Sequence, residues 1–308
     1  EYAFTFEDEQ TRVELSKADL TDKKELPGAS LKVTDENGNT VDEWVSKEEA
    51  HIIKGLIVGK KYKMTETKPA DGYVTAESIE FTVENTKEVQ KHQMLDDVTK
   101  VEISKKDITD SSEVPGAKLI ILDKDGKKVE SWTSTDKPHM VEKLPVGEYT
   151  LREEQAPDGY LIAEDVKFTV KDTGKVQKVK MKDAHPYGKL VIKKTDSTSK
   201  AALSGAEFEL REKESGKVVE KLVTDKTGTA TSGKIPIATY KNGKVEKTVE
   251  YILVETKAPN GYELSSKKEE IRFEYKDGKT KVIEIVKEIK NTKSPSGSTP
   301  TGNSPKTG

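Results

Sequence analysis

Three times in this 308-residue chain a lysine, a glutamate and an Asp or Asn recur in the same order, each on a strand face otherwise built from apolar residues. The lysine follows two alternating apolar positions: Val13, Leu15, Lys17; Val101, Ile103, Lys105; Leu190, Ile192, Lys194. The glutamate does the same in YKMTETKPADGY, YTLREEQAPDGY and YILVETKAPNGY, where the inward positions are Tyr62, Met64, Glu66; Tyr149, Leu151, Glu153; and Tyr251, Leu253, Glu255. The third group closes a last strand: Met94, Asp96; Met181, Asp183; Ile289, Asn291. A period of two marks a half-buried β-strand, so each of these polar side chains is aimed into a core.

An ammonium and two carboxylates left in an apolar interior are expensive, and the cheaper outcome is neutralisation. Burial lowers a lysine pKa and raises a carboxyl pKa, which leaves a free amine beside a protonated acid. That pairing is set up for amide formation. The lysine nitrogen attacks the side-chain carbonyl carbon of Asp96, Asp183 or Asn291, while neutral Glu66, Glu153 or Glu255 donates a hydrogen bond to the carbonyl oxygen and shuttles protons. Water leaves from Asp and ammonia from Asn. A single lysine at a strand end usually reaches for water, and a single strand glutamate usually faces solvent. Three sets in phase favour the chemistry.

The elements that must position these groups form a tandem array. FEDEQTRVELSKAD, beginning at Phe6, matches MLDDVTKVEISKKD, beginning at Met94, so the chain opens in mid-repeat. The expected organisation is the last strand of an upstream repeat over 1–11, repeats over 12–98, 99–185 and 186–292, and a Pro/Ser/Thr-rich linker over 293–308. Each repeat opens on the lysine strand, with an Asp two residues further on at Asp19, Asp107 or Asp196. A second strand and a hairpin follow, the turns falling at Asn37 and Gly38, Asp125 and Gly126, and Ser215 and Gly216, residues suited to positive φ. Trp44, Trp132 and Leu222 occupy one matching position and read as core packing. After each glutamate a Pro/Asp/Asn/Gly turn leads to Tyr73, Tyr160 or Tyr262, read as core as well. The third repeat is longer, its extra residues lying within about Thr224 to Glu250, where KIPIATYKNGKVEK predicts an added hairpin or extended loop. Many short strands with regular turn signals and no helical period predict an all-β sandwich for each repeat.

Composition bounds the alternatives. With 32% hydrophobic and 35% charged residues the chain suits several small cores rather than one large one. The 53 basic and 56 acidic side chains are intermixed, so no basic field for nucleic acid and no polybasic membrane patch exists. The absence of cysteine excludes disulfides, thiolate metal sites and a cysteine nucleophile. His51, His92, His139 and His185 show no paired ligand spacing and read as surface or packing residues, so no metal or cofactor is expected. No apolar run is long enough to cross a bilayer. The start at Glu1 reads as a piece of a longer protein.

The opening KADLTD, KKDITD and KKTDST segments, the glutamate box ending in ADGY, PDGY or PNGY, and the closing LDD, KDA and KNT resemble the Cna B-type, or SpaA prealbumin-like, domains of Gram-positive surface proteins and pilins. The resemblance covers nearly the whole chain. It implies an all-β fold of tandem immunoglobulin-like or prealbumin-like sandwiches, and an intramolecular isopeptide bond in each. The implied sets are Lys17, Glu66, Asp96; Lys105, Glu153, Asp183; and Lys194, Glu255, Asn291, with the glutamates catalytic and the others bonded. The terminal SPKTG resembles a sortase signal in Pro305, Lys306, Thr307 and Gly308, although Ser304 stands where leucine is usual. The implied partners are sortase and cell-wall peptidoglycan or other pilin subunits, with host matrix or glycan reached through a missing N-terminal region. The expected role is an extracellular, cell-wall-anchored stalk, a pilin or adhesin component with no enzymatic activity beyond acting on itself. A ligand-binding adhesin domain and the C-terminal stalk of a surface enzyme are the alternatives.

Overall fold

The computed structural model describes residues 9–295, and every regular element among them is a β-strand. The first repeat holds β1 (Arg12–Asp19), β2 (Ser30–Asp35), β3 (Thr40–Val45), β4 (His51–Lys54), β5 (Lys61–Lys68), β6 (Ile79–Thr82) and β7 (Gln90–Asp96). The second holds β8 (Lys100–Asp107), β9 (Lys118–Asp123), β10 (Lys128–Thr133), β11 (His139–Glu142), β12 (Gly147–Gln155), β13 (Val166–Val170) and β14 (Val176–Asp183). The third holds β15 (Tyr187–Asp196), β16 (Glu207–Glu212), β17 (Val218–Val223), β18 (Thr229–Thr231), β19 (Ile235–Pro236), β20 (Ala238–Lys241), β21 (Lys244–Thr248), β22 (Glu250–Lys257), β23 (Glu269–Arg272) and β24 (Val282–Asn291).

Each repeat is a sandwich of two sheets. In the first, β4-β1-β7 faces β3-β2-β5-β6, and the second repeats this as β11-β8-β14 and β10-β9-β12-β13. In the third, β18-β15-β19 with β24 also on β15 faces β17-β16-β22-β23. The opening and closing strands run side by side and parallel, with Lys17 opposite Met94 and Asp19 opposite Asp96. β15 and β24 repeat that register, Lys194 opposite Ile289 and Asp196 opposite Asn291. Parallel neighbours need a long crossover, and here the rest of the repeat supplies it. The alternating inward residues close the cores: Val13, Leu15, Leu31, Val33, Met64 and Met94 in the first repeat, and Leu190, Ile192, Phe208, Leu210, Leu253 and Phe273 in the third.

By compactness the described residues form two units, one of 9–105, 119–152 and 164–181, the other of 106–118, 153–163 and 182–295. The extra length of the third repeat is an added hairpin, β20 with β21. Its two-residue turn has Asn242 at φ 52° and Gly243 at φ 69°, both left-handed, the arrangement whose twist suits a tight hairpin. Trp44 and Trp132 lie at the margin of their cores rather than inside: each is half-buried and stacks on a histidine, His51 at 4.2 Å and His139 at 4.4 Å between ring centroids. Leu222, at the matching position, is buried.

Candidate functional site

In the first repeat Lys17 reaches inward from the end of β1, Glu66 from β5 in the opposite sheet, and Asp96 from β7 beside β1. Their residual exposures are 1%, 4% and 1%, so water reaches none of them. Lys17 Nζ lies 2.9 Å from Glu66 Oε1 and donates to Asp96 Oδ1. Glu66 Oε2 accepts the Ala76 amide at 2.6 Å, which fixes the carboxylate plane. Burial pushes the Asp96 carboxyl up to about 7, against the pull of Lys17 and reinforced by the charge of Glu66. Asp96 Oδ2 is buried and has no hydrogen-bond partner among the described residues.

A β-bulge lies beside the glutamate. Between β2 and β5 the register slips from Ser30 opposite Lys68 to Leu31 opposite Glu66, and between β16 and β22 from Glu207 opposite Lys257 to Phe208 opposite Glu255. Such a bulge re-aims a side chain.

The third repeat builds the same site with an amide as acceptor. Lys194 Nζ lies 2.9 Å from Glu255 Oε1 and donates to Asn291 Oδ1. Asn291 Nδ2 donates to Glu255 Oε1 at 3.0 Å and to Oε2 at 3.1 Å, and Ser265 N donates to Oε2 at 2.8 Å. Burial lowers the Lys194 pKa, partly offset by Glu255, and so favours the free amine. The amide presents its nitrogen to Glu255 and its oxygen to the lysine. The Glu255 carboxyl group therefore faces the side-chain nitrogen of Asn291, whereas the sequence reading placed it on the carbonyl oxygen.

In the second repeat Lys105, Glu153 and Asp183 are all buried, and Glu153 Oε2 accepts the Ala163 amide at 2.6 Å, as its counterparts do from Ala76 and Ser265. Among the described residues no cluster of His, Asp and Glu is arranged to hold a metal ion. The histidines pack: His92 stacks on Phe81 at 4.6 Å, and His185 bonds Asp107 at 2.8 Å. Pro305, Lys306, Thr307 and Gly308 lie outside the described residues, as does most of the expected upstream strand.

The family described as SpaA, a prealbumin-like fold domain, matches residues 11–97, 99–185 and 188–289. The chain belongs to this family. Its three SpaA domains share their fold with solved structures. The Bacillus anthracis TIE protein is 27% identical, with a TM-score of 0.60 over 93% of this chain and 52% of that one, so this chain spans about half its length. BcpA, the major pilin subunit of Bacillus cereus, is 18% identical, with a TM-score of 0.54 over 92% of this chain and 100% of that one, a likeness of fold. No curated protein matches the chain.

Each SpaA domain also holds a polar pair, whose tyrosine the sequence reading took for core packing and whose aspartate it noted without a role. The hydroxyl of Tyr73 donates to Asp19 Oδ2 at 2.7 Å, that of Tyr160 to Asp107 Oδ2 at 2.8 Å, and that of Tyr262 to Asp196 Oδ2 at 2.9 Å. Although burial raises Asp19 and Asp107, these bonds and those from Thr21 and Thr109 hold both at about 2. Asp196 lies at about 2 through the Ser199 and Thr198 amides and Tyr262. Both members recur in the sequence, one aspartate and one tyrosine in each repeat. Nothing in the spacing says that the two meet.

Proposed function

We propose that each of the three domains closes on itself by an amide bond between the lysine of its first strand and the Asp or Asn of its last, and that the chain serves as a covalently locked stalk. The contact that carries this reading is Glu255 Oε1, which lies 2.9 Å from Lys194 Nζ and 3.0 Å from Asn291 Nδ2. One oxygen thus touches both the nitrogen that must lose a proton and the nitrogen that must gain one.

The lone pair of the neutral Lys194 amine attacks Cγ of Asn291. Glu255 takes the proton from Nζ and returns it to Nδ2, the Cγ–Nδ2 bond breaks, and ammonia leaves. In the first domain Lys17 Nζ attacks Cγ of the protonated Asp96 carboxyl, Glu66 moves the proton to the departing oxygen, and water leaves. Lys105, Glu153 and Asp183 carry the same reaction in the second. The glutamate is regenerated each time, so every domain acts once and on itself.

An amide that ties the opening strand to the closing one carries tension across a domain without passing it through the rest of the sandwich. The fold shared with a major pilin subunit supports a structural role outside the cell of a Gram-positive bacterium. In this reading the terminal SPKTG is the sortase substrate, and peptidoglycan or a further pilin subunit is the acceptor. Intact mass of the full chain tests the chemistry. A deficit of two waters and one ammonia is expected, with tryptic peptides joined through Lys17 and Asp96, Lys105 and Asp183, and Lys194 and Asn291; a full mass overturns it.

A further inference from the structure

We propose that the tyrosine following the glycine of each glutamate box, together with the aspartate two residues beyond the reactive lysine, is a positioning brace that sets the lysine against its acceptor; this rests on the amide-forming reading above. Tyr73 with Asp19, Tyr160 with Asp107 and Tyr262 with Asp196 are the three braces.

The residues from the tyrosine onward touch all three strands that carry the reacting groups. In the first domain Tyr73 bonds Asp19 on the lysine strand, Val74 N donates to Asp97 O just past the acceptor at 2.9 Å, and Ala76 N donates to Glu66 Oε2 at 2.6 Å. The second domain repeats this through Tyr160 to Asp107, Leu161 N to Ala184 O at 2.9 Å, and Ala163 N to Glu153 Oε2 at 2.6 Å. The third repeats it through Tyr262 to Asp196, Glu263 N to Thr292 O at 3.0 Å, and Ser265 N to Glu255 Oε2 at 2.8 Å. Two of the three bonds in each set are made by backbone amides, which any residue could supply. Within each set the tyrosine hydroxyl is the one side-chain donor and its aspartate the one partner on the lysine strand; Lys143 Nζ also donates to Tyr73 and Asp19, at 2.7 and 3.3 Å, and His185 also bonds Asp107.

The aspartate has the geometry to pass that restraint on. Asp19 and Lys17 lie two apart on β1 and so on one face, and both are buried. Asp19 Oδ1 accepts the Thr21 amide at 2.7 Å, which turns the chain at the strand end, and the Leu20 amide between them donates to Asp96 O at 2.8 Å. The bond from Tyr73 therefore fixes the roll and axial position of the strand end that Lys17 hangs from, and ties it to the acceptor's own backbone. A lysine has four rotatable bonds, and holding its base in place converts a broad search into a near-attack geometry. The positive φ of Gly72, +86°, delivers the tyrosine to this place, and Gly159 and Gly261 share that conformation.

The test is the rate of bond formation counted only over folded molecules. The full chain is synthesised in a cell-free system as wild type, Tyr73→Phe, Asp19→Asn and Asp19→Ala. Samples are pulse-labelled by hydrogen exchange, acid-quenched at intervals and mapped for the joined Lys17 and Asp96 peptides. Among chains whose β1 amides are already protected, Tyr73→Phe and Asp19→Ala join at least about tenfold more slowly than wild type. The second and third domains of the same molecules keep their normal pace. Asp19→Asn, which retains an oxygen for Thr21 and a polar partner for Tyr73, stays within about threefold of wild type. A purely structural role would lower the protected fraction and leave the rate within it unchanged, and that result overturns the proposal. If Tyr73→Phe never reaches the protected state, Tyr262→Phe, read by the joined Lys194 and Asn291 peptides, decides by the same criterion. A wild-type chain with no joined peptides overturns this proposal and the function it rests on, whereas joined wild-type peptides with an unslowed variant overturn this proposal alone.

Discussion

Lys17 Nζ lies 2.9 Å from Glu66 Oε1 although the two residues belong to opposite sheets of the sandwich. The proposed bond-forming partners, Lys17 and Asp96, sit on neighbouring strands of one sheet, and the proposed proton carrier, Glu66, reaches across the core from the other. The acid can thus serve the reaction without standing between the reacting atoms, and each domain carries its own acid.

Domain independence gives the first prediction. Glu66→Ala leaves the first domain unjoined and the other two joined, so the intact mass, corrected for the substitution, is one water heavier than wild type. Glu255→Ala instead retains one ammonia. Each acid serves its own domain and the two share no partner, so the two substitutions are expected to act additively. Peptide mapping checks it: joined Lys17 and Asp96 peptides in Glu66→Ala would remove the glutamate from the mechanism.

Exchanging the acceptor tests the leaving group. Asn291→Asp changes what departs from ammonia to water, and the joined product is the same molecule in both cases. The mature variant is therefore expected to have a mass indistinguishable from wild type. A variant heavier than the joined wild type by one water has not reacted.

The first and third domains should respond differently to pH. The Asp96 carboxyl, raised to about 7 by burial, is electrophilic only while protonated. Its reactive fraction is nearly complete below that value and falls about tenfold per pH unit above it. Asn291 has no such proton to lose, and deprotonation of Lys194 is already favoured by burial. Initial rates of nascent chains from pH 6 to 9 are expected to fall for the joined Lys17 and Asp96 peptides and to hold or rise for the Lys194 and Asn291 peptides. Parallel profiles would mean that Asp96 does not react as the acid.

Much of this was legible in the sequence because period-two alternation states which side of a strand a residue occupies. Lys17, Glu66 and Asp96 each sit two residues beyond an inward apolar residue, so their burial follows from Leu15, Met64 and Met94 without knowledge of the fold. The insertion was located as well, though only as a hairpin or an extended loop; the structure shows the hairpin, turning at Asn242 and Gly243. What alternation cannot supply is which inward groups meet. Tyr73 and Asp19 were visible as recurrent residues, yet they are 54 positions apart and their contact depends on β1 and the segment after β5 converging at one end of the sandwich. The bulge beside Glu66 was hidden for a related reason: an extra residue shows only against a partner strand. Trp44, read as core packing, does pack against the first core, but from its half-buried margin, and a large aromatic at a repeated position reads the same there as at a core's centre.

Removing the lysine measures what the cross-link contributes. Lys17→Ala deletes the bond and leaves the Glu66 and Asp96 carboxyl groups buried without the lysine nitrogen as a partner. A link between residues 79 apart constrains the unfolded chain by about 4–5 kcal/mol on the chain-entropy account. The uncompensated carboxyl groups add about 3–5 kcal/mol of destabilisation. A shift of this size unfolds a small domain or lowers its midpoint by tens of degrees. Limited proteolysis during a thermal ramp is expected to cut the first domain well before the others; cleavage at the wild-type temperature would show that no bond had been present to lose.

The hairpin of the third domain gives the last prediction. Within the second unit Tyr240 lies flat on His185, with ring centroids 3.5 Å apart and planes 2° from parallel, meets the Tyr160 ring edge-on at 5.2 Å, and donates its hydroxyl to Gly159 O at 2.8 Å. Gly243 at the hairpin turn approaches so closely that an added Cβ would fall 1.8 Å from Glu113 O. The insertion therefore packs on the tyrosine corner of the preceding domain instead of projecting freely. Aromatic pairs of this kind contribute about 0.5–1.5 kcal/mol each beyond the area they bury. Tyr240→Ala should raise amide exchange at Tyr160 and Leu161 by about tenfold or more and shift the His185 ring resonances, while the Lys194 and Asn291 peptides still join. Gly243→Ala, which keeps the aromatic ring but cannot seat the turn, should reproduce the exchange effect. Unchanged exchange in both variants would show that the hairpin does not hold this corner in solution.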